Sequence, residues 1–245
     1  MSSVSAHFNS MVTYYAEVPV ATKDLQISTI LPINEGNAGV LFVSKFDETK
    51  LIKKSVNNSL INEFVIGKMI DHPNFMKVHR LFKKIYLDEN EKEVDCVYKL
   101  EIERIEGKSL EGVLISEKVN RNFYLKLTEA IYNSILYLNE QQIVWEDLTP
   151  KNIMISNEGE VKFVDYGLYL QEPDDASRIK SLLENYQTLT CMMEENHEMA
   201  EDVEEINLHI LELLDDTIAE LEKGALAQHT LRFFLDHIRL YFRCL

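Results

Sequence analysis

The spacing of apolar residues changes character near Gly107. Upstream of it, short apolar runs are separated by turn residues, which is typical of β-strands. The pattern predicts strands at residues 40–43, 51–53, 76–86 and 94–105. Downstream of it, apolar residues recur mainly at helical spacing. The chain is therefore predicted to fold as an α+β protein with a strand-rich half and a larger helical half.

One helix is predicted in the strand-rich half, over residues 57–70. Its expected buried face holds four apolar side chains, Ile61, Phe64, Val65 and Met69. The turn residues 71–74, which include a proline, end it. Residues 1–25 show no sustained periodicity and are predicted to form an N-terminal extension.

A long helix ending near Glu140 is predicted in the second half. Its expected buried residues are Phe123, Leu127, Ala130, Ile131, Ser134 and Leu138. Residues 143–170 are predicted as a strand-loop-strand section. From about Asp175 the pattern is helical, with weak breaks near Glu198 and at Gly224.

Composition limits the classes of function. The 245 residues carry a formal net charge of −16, which disfavours nucleic acid as the main partner. The three cysteines are far apart and form no metal-binding motif, which fits a reducing compartment such as the cytoplasm. No stretch approaches the ~20 apolar residues of a membrane helix, so we expect a soluble protein with no membrane segment.

Two segments of the second half carry the strongest chemical signal. The sequence from Asp147 to Ile155 reads D-L-T-P-K-N-I-M-I, and residues 161–167 read V-K-F-V-D-Y-G. One aspartate or one D-x-G alone would indicate only a turn. The two segments together, at this spacing, resemble the catalytic and metal-binding loops of protein kinases.

The resemblance implies a bilobal kinase-like fold that uses ATP and Mg²⁺ to phosphorylate a protein substrate. Asp147 would orient the attacking hydroxyl, while Asn152 and Asp165 would bind the metal through the hard oxygen ligands that magnesium prefers. The boundaries expected are an extension at 1–25, an N-lobe at 26–105 with an antiparallel sheet and one main helix, and a truncated helical C-lobe at 106–245.

The first half resembles the kinase N-lobe in the expected order. Asn34 stands where the first glycine of the nucleotide-binding loop would be, and the loop's expected nucleotide contacts are Gly36, Asn37, Ala38, Gly39 and Leu41. Lys53 corresponds to the lysine that contacts the α- and β-phosphates, and its neighbour Lys54 is predicted to point to the opposite face. Glu63 lies at the spacing of the helix glutamate that pairs with this lysine.

The segment before Gly107 resembles the kinase hinge. Ile102 falls at the gatekeeper position, and Glu103 and Ile105 are expected to contact adenine through backbone groups. Sequence locates such a contact without proving it, because any side chain supplies the same backbone atoms.

Several residues depart from the family pattern. Trp145 and Glu146 replace the usual His-Arg, and Glu146 would repel a phosphorylated activation loop. Thr149 replaces a lysine, so one cation near the transferred phosphate is missing. Lys151 is close in sequence but is not assigned that role. Trp145 is interpreted as a packing residue in preference to a ligand-stacking one.

No Ala-Pro-Glu motif follows Gly167, and only a short connection precedes the helix predicted at Asp175. In this the chain resembles the minimal secreted effector kinases of pathogenic bacteria, and also the small kinase of the tRNA-threonylcarbamoylation complex. The His72-Pro73-Asn74 segment favours the first group. That resemblance implies a monomer that acts on a host protein, in the cytoplasm or after secretion into the host-cell cytoplasm, without activation-loop phosphorylation.

Two surface features have alternative explanations. The acidic residues between Glu194 and Glu205 form either a solvated helix face or a docking site for a basic partner. The final helix, with Leu231, Phe233, Phe234 and Leu240 among its apolar residues, is expected to be lobe core more than a partner groove. Any exposed remainder would suggest an interaction surface.

Three functions stay open at this point. The first is an active protein kinase, with serine or threonine favoured over tyrosine as the acceptor. The second is a catalytically weak pseudokinase that serves as a binding module. The third is a kinase-fold enzyme that acts on a small molecule or transfers a nucleotidyl group.

Overall fold

The computed structural model describes residues 13–16, 34–36, 39–44, 47–55, 59–87, 93–116, 119–145, 147–166, 168–170, 175–196 and 201–244. Within these ranges the chain forms strands and helices, and the predicted α+β class is confirmed. The chain divides into two compact units. The first comprises Met1–Asp71 and Met76–Ile105, and the second comprises His72–Phe75 and Glu106–Leu245.

The first unit is built on a six-stranded sheet in the order β1-β5-β6-β4-β3-β2. Its strands are β1 (Thr13–Ala16), β2 (Asn34–Gly36), β3 (Gly39–Val43), β4 (Lys50–Ser55), β5 (Val78–Leu87) and β6 (Glu93–Glu103). Neighbours from β2 to β6 pair antiparallel, as predicted, whereas β1 pairs parallel with β5. Part of the predicted extension is thus an edge strand of the sheet, although no apolar run in the sequence indicated it.

The four predicted strands are all present, with small shifts at their ends. β5 begins at Val78 and β6 ends at Glu103, so Met76 and Ile105 lie outside the strands. The turn before β4 is held by Thr49, whose backbone N–H and hydroxyl both donate to Oδ1 of Asp47.

Among the described residues of the first unit there is one helix, α1 (Ser59–Met69), which packs against β5 and β6. The buried face predicted for it is wrong except at Phe64. The buried side chains are Leu60, Glu63, Phe64 and Ile66, while Ile61 and Val65 are half-buried and Met69 is exposed. The reason is that α1 turns a charged residue, Glu63, towards the sheet, which apolar periodicity does not register.

The second unit contains five helices among its described residues. They are α2 (Leu110–Ser116), α3 (Arg121–Glu140), α4 (Asp175–Asn196), α5 (Glu201–Glu222) and α6 (Ala227–Cys244). In α3, Asn120 caps the first turn by accepting from the Phe123 N–H at 3.1 Å. The expected core residues of α3 are buried, apart from Phe123, whose place is taken by Tyr124.

One short strand precedes α2, and four more lie between α3 and α4. They are β7 (Gly107–Ser109), β8 (Ile143–Trp145), β9 (Ile153–Ser156), β10 (Val161–Phe163) and β11 (Leu168–Leu170). β9 pairs antiparallel with both β7 and β10, and β8 pairs with β11. The sequence did not predict β7, which lies where helix was expected to begin.

Helices α4, α5 and α6 pack on one another. The predicted break at Gly224 is confirmed: its φ of +87° ends α5, and the N–H of Gly224 donates to the Leu221 carbonyl at 3.0 Å. In α6, the side chains of Leu231, Phe234, Leu235 and Ile238 are buried, as expected of lobe core. No helix in the described part of the chain is long and apolar enough to cross a membrane.

Candidate active site

In the first unit, the structure brings Lys53 and Glu63 together. The Lys53 Nζ lies 2.9 Å from Oε2 of Glu63, and the two residues are only 6% and 7% exposed. Strand pairing places Lys53 opposite Leu41 on one side and Leu100 on the other. Burying an ion pair among apolar side chains costs free energy because both charges lose water. The presence of such a pair therefore indicates a functional role.

The neighbouring lysine has a different environment. Lys54 is half-buried, and its Nζ lies 4.1 Å from the centre of the Phe42 ring. Successive residues of a strand point to opposite faces. The geometry therefore separates the two lysines as the sequence predicted.

The residues of the predicted nucleotide-binding loop are partly described. β2 and β3 form an antiparallel hairpin in which Gly36 faces Gly39, and Leu41 follows in β3 as a half-buried residue. Asn37 and Ala38, which connect the two strands, lie outside the described residues. The hairpin is the arrangement that a strand-turn-strand loop over phosphates requires.

The predicted hinge residues follow one another at the end of β6. Ile102 is buried opposite Leu51 and Val78. The N–H of Glu103 donates to the Lys77 carbonyl at 2.8 Å, and the Arg104 N–H donates to that of Thr49 at 2.9 Å.

Ile105 differs from these neighbours, because its backbone groups have no hydrogen-bonding partner within the described part of the chain. A purine needs one donor and one acceptor at its edge, and the backbone of Ile105 can supply both.

In the second unit, Asp147 and Asn152 are held against each other. A 3₁₀ turn over Pro150–Asn152 folds the chain back, and the Asn152 N–H donates to the Thr149 carbonyl at 2.9 Å. The side-chain Nδ2 of Asn152 then donates to Oδ2 of Asp147 at 2.6 Å and to its carbonyl at 3.2 Å. This fixes the orientation of an exposed carboxylate, which leaves Oδ1 of Asp147 for an incoming hydroxyl group.

Asp165 is tied to the same loop through its neighbour. The Val164 N–H donates to the Asn152 carbonyl at 2.8 Å, and Asp165 itself has a φ of +55°. A non-glycine residue in the left-handed region costs about 1 kcal/mol and persists where the surrounding structure enforces it. The flanking side chains, Phe163 and Tyr166, are buried and supply that enforcement.

The segment His72–Phe75 helps to position this loop. Sequence analysis did not predict that role. The Asn74 side-chain amide donates to the Val161 carbonyl at 2.9 Å, and the backbone carbonyl of Asn74 accepts from the Phe163 N–H at 2.7 Å. Phe75 packs on the Phe163 ring at 5.3 Å and stacks with Tyr166 at 6.3 Å. The His72-Pro73-Asn74 motif is the feature of the sequence that could have indicated this supporting role.

The donor set fits a hard divalent cation. Asp165 offers carboxylate oxygens, and the Asn152 amide offers its carbonyl oxygen, since its nitrogen already donates to Asp147. Within the described ranges there is no group of three or more His, Cys, Asp or Glu that would hold a softer or all-protein metal site. A magnesium ion at a phosphate site usually takes one or two oxygen ligands from the protein and the others from water and phosphate.

The residues that depart from the expected motif have separate surroundings. Lys151 is exposed, and its Nζ lies 3.6 Å from Oε1 of Glu111 in α2. Thr149 is half-buried and contributes its carbonyl to the 3₁₀ turn. Trp145 lies in β8 opposite Leu168, and Glu146 is outside the described residues.

Comparison with known proteins agrees with this geometry. Residues 26–203 match the family described as Protein kinase domain. Because the match covers more than half of the chain, the protein belongs to the protein kinase domain family.

Individual relatives come from eukaryotes. A sperm motility kinase (Tcr mutant form) of Mus musculus is 32% identical over 124 residues, which are 47% of this chain and 22% of that protein. The probable serine/threonine-protein kinase mkcB of Dictyostelium discoideum is 27% identical over 145 residues, 56% of this chain and 19% of its own length.

Aurora kinase B-A of Xenopus laevis is 24% identical over 189 residues, 70% of this chain and 48% of that protein. The chain thus spans about a fifth to a half of the length of these relatives.

Proposed function

We propose that this protein is an ATP- and magnesium-dependent protein kinase that transfers the γ-phosphate of ATP to a protein hydroxyl group. Serine or threonine is the favoured acceptor, because relatives such as mkcB are described as serine/threonine-protein kinases. The observation that carries the proposal is the buried Lys53–Glu63 ion pair of 2.9 Å. A protein that no longer bound nucleotide would gain stability if apolar side chains replaced these two buried charges.

Each residue has a distinct role in the proposed reaction. Lys53, oriented by Glu63, binds the α- and β-phosphates, and the backbone of Ile105 recognises adenine. Asp147 holds the acceptor hydroxyl in line with the γ-phosphate and takes its proton through Oδ1. Asn152 and Asp165 hold the cation. Magnesium, when bound, supplies neutralisation of charge on the phosphates.

Thr149 stands where the family pattern has a lysine, and this replacement affects the expected rate of phosphoryl transfer. The nearby Lys151 lies 3.6 Å from the Glu111 carboxylate, which offsets part of its charge. We propose that Lys53 and magnesium carry the charge compensation alone, so that turnover falls at the slow end of the ~1–100 s⁻¹ typical of kinases.

We also propose that activity does not depend on phosphorylation of an activation loop. In support, β11 begins two residues after Tyr166 and pairs with β8, and only four residues separate its end from the start of α4 at Asp175. Glu146, in place of an arginine, would repel a phosphate there. Treatment of the purified protein with a phosphatase is expected to leave its kinase rate unchanged; a loss of rate would contradict this point.

A further part of the proposal is that the protein acts as an effector on a protein of a host cell. The short connection after Gly167 supports it, through the resemblance to minimal secreted effector kinases. Quantitative phosphoproteomics of host cells that express the wild type or Asp147→Ala tests it. Host phosphosites that depend on Asp147 support the proposal, and their absence, with the purified kinase active, contradicts it.

The activity itself is tested with ATP labelled at either the γ- or the α-phosphate. Wild-type protein, magnesium and a heat-treated lysate as substrate mixture are incubated with each nucleotide. We expect γ-label on protein for the wild type, and none for Asp147→Ala or Asp165→Ala. As a matched control, Asp216→Ala removes an exposed carboxylate of α5 and should retain the wild-type rate.

The other outcomes distinguish the alternatives. Transfer of α-label alone would indicate nucleotidyl transfer. Thermal stabilisation by ATP without transfer of either label would indicate a pseudokinase, for which Trp145, Glu146 and Thr149 are the supporting substitutions. Either result overturns the proposed activity.

A further inference from the structure

Helix α5 has an unusual charge that the proposed phosphotransfer does not use. Its 22 residues, EDVEEINLHILELLDDTIAELE, include nine acidic residues and no lysine or arginine. Glu220 and Glu222 are matched by Lys223 and Lys180 at 2.8 and 2.6 Å. The acidic side chains that stay exposed include Glu204, Glu205, Glu212 and Asp216.

Helix α6 exposes large apolar side chains next to its buried face. Phe233 is 53% exposed and Leu240 is 57% exposed, although the neighbouring Phe234 is fully buried. The ring of His237 lies 3.9 Å from that of Phe233, centroid to centroid. Residues at spacings of three, four and seven share one helix face, so Phe233, His237 and Leu240 form a continuous apolar stripe.

The two features meet on the same side of the second unit. The ring of His209 in α5 lies 4.2 Å from that of Tyr241 in α6. On α5, Glu205, Glu212 and Asp216 lie four residues before, three after and seven after His209, and therefore on its face. Burial raises the pKa of Tyr241, the charge of Glu205 raises it further, and the charge of Arg121 at the start of α3 lowers it.

We propose that this surface binds a lysine- or arginine-bearing amphipathic segment of a partner protein. The α5/α6 surface is defined by Glu205, His209, Glu212, Asp216, Phe233, His237, Leu240 and Tyr241. Apolar side chains of the partner would cover Phe233 and Leu240, while its cations would meet the acidic face of α5 and the aromatic rings. The proposal is independent of the phosphotransfer activity.

Charge decides between possible occupants. Arg232 and Arg239 of α6 are exposed beside the stripe, but a second copy of this chain would carry the same net charge of −16, and like net charges oppose association. Nucleic acid and anionic lipid surfaces are repelled for the same reason. A cationic protein segment is attracted both by the α5 face and by the net charge of −16.

Binding is measured by fluorescence anisotropy with a labelled peptide of lysine and leucine placed at helical spacing. Two pairs of substitutions probe the surface: Phe233→Ser with Leu240→Ser removes the apolar stripe, and Glu205→Gln with Glu212→Gln removes charge. We expect each pair to weaken binding about tenfold. The matched control is Glu129→Gln with Glu158→Gln, which changes net charge equally at exposed positions outside α5 and α6.

The controls separate a specific surface from simple charge attraction. The control pair should change the dissociation constant less than about twofold, and a shuffled peptide of the same composition should bind at least about tenfold more weakly. Equal losses in the control pair, or no loss on removing the apolar stripe, would overturn the proposal. Concentration-dependent dimerisation that the Phe233→Ser/Leu240→Ser variant abolishes would also overturn it, in favour of a second copy as occupant.

Discussion

The Lys53 ammonium and the Glu63 carboxylate lie 2.9 Å apart in a layer where neither residue is more than 7% exposed. Removal of one partner leaves the other charge unpaired in an apolar environment. We therefore predict that Glu63→Leu lowers the free energy of unfolding by about 3 kcal/mol, measured by urea denaturation. The double variant Lys53→Met/Glu63→Leu should recover most of that stability, because no buried charge is left.

The same double variant separates fold from function. It should be stable but inactive, since the phosphates lose their cation. A double variant that transfers phosphate at the wild-type rate would show that Lys53 does not bind the nucleotide. The variant Lys54→Met is the matched control on the adjacent, half-buried position and should retain activity.

Asp147 and Asn152 should differ in their metal dependence although they contact each other at 2.6 Å. We predict that Asn152→Ala lowers kcat by about 10²-fold or more and raises the magnesium concentration needed for half-maximal rate. Asp147→Asn, which keeps an acceptor for the Asn152 amide, should lower kcat without that shift, because the role of the Asp147 carboxylate is with the hydroxyl group. Asp147 is exposed and Asn152 is half-buried, so stability should change by no more than about 1 kcal/mol.

The comparison is made by kinase assays over a magnesium titration. An equal change in the magnesium requirement of both variants would contradict the division of roles. Asp165→Ala provides the positive control, since it removes the carboxylate proposed to bind the cation.

Gly107 is required by close approach of two strands. A Cβ at this position would lie 1.9 Å from the Ile155 carbonyl oxygen, across the β7–β9 pair. We predict that Gly107→Ala lowers stability by about 3 kcal/mol, because the obstructing atom is backbone and cannot move aside. In Gly112→Ala, the nearest atom is 3.4 Å from the new Cβ, and helix propensity favours the change by up to about 1 kcal/mol.

Thermal and urea denaturation of the two glycine variants supply the measurement. Gly112→Ala is the matched control, since it adds the same methyl group in the adjacent helix α2. Equal stability of the two variants would show that β7 does not pair with β9 in solution.

His72 should make stability depend on pH. Its Nδ1 accepts a hydrogen bond from the Asn74 N–H at 3.3 Å, and its ring lies 5.0 Å from that of Tyr137. Burial lowers the pKa of His72 below its usual 6.5. Because the unfolded chain binds the proton more readily, stability is full above pH 6.5 and falls as pH drops towards the lowered pKa.

We predict that His72→Asn, which keeps an acceptor for the Asn74 N–H but does not titrate, has a smaller loss of stability between pH 7.5 and about 5 than the wild type. Urea denaturation at both pH values measures it, with His237→Asn at an exposed position as control. An unchanged pH dependence in His72→Asn would remove His72 as the cause.

Local signals in the sequence were sufficient for most of the elements. The apolar runs located β3 to β6, and helical periodicity located α3, because each element buries a repeating set of side chains along one face. The spacing of the motif residues in the sequence located Asp147, Asn152 and Asp165 within one short section of the chain. The hydrogen bonds between Asp147 and Asn152 span five residues and the one from Val164 to Asn152 spans twelve, so order in sequence brings these segments close in space.

Elements without a repeating pattern were missed. β7 spans only Gly107–Ser109, too short to show any period, and it exists because β9 offers a free edge. β1 is held by parallel pairing with β5, a partner distant in sequence. The buried face of α1 was misassigned because it includes Glu63, whose burial depends on Lys53 in another element.

The amino-acid sequence by itself determined the family, the order of the elements and the residue types available for phosphotransfer, since these follow from local periodicity and spacing. Only the tertiary structure decided which lysine meets Glu63 and how Asn74 and Phe75 support the loop that carries Asp165. It also decided which side chains of α5 and α6 face outward. These relations depend on long-range packing, in which residues far apart in the chain share one layer and satisfy each other's charges and hydrogen bonds.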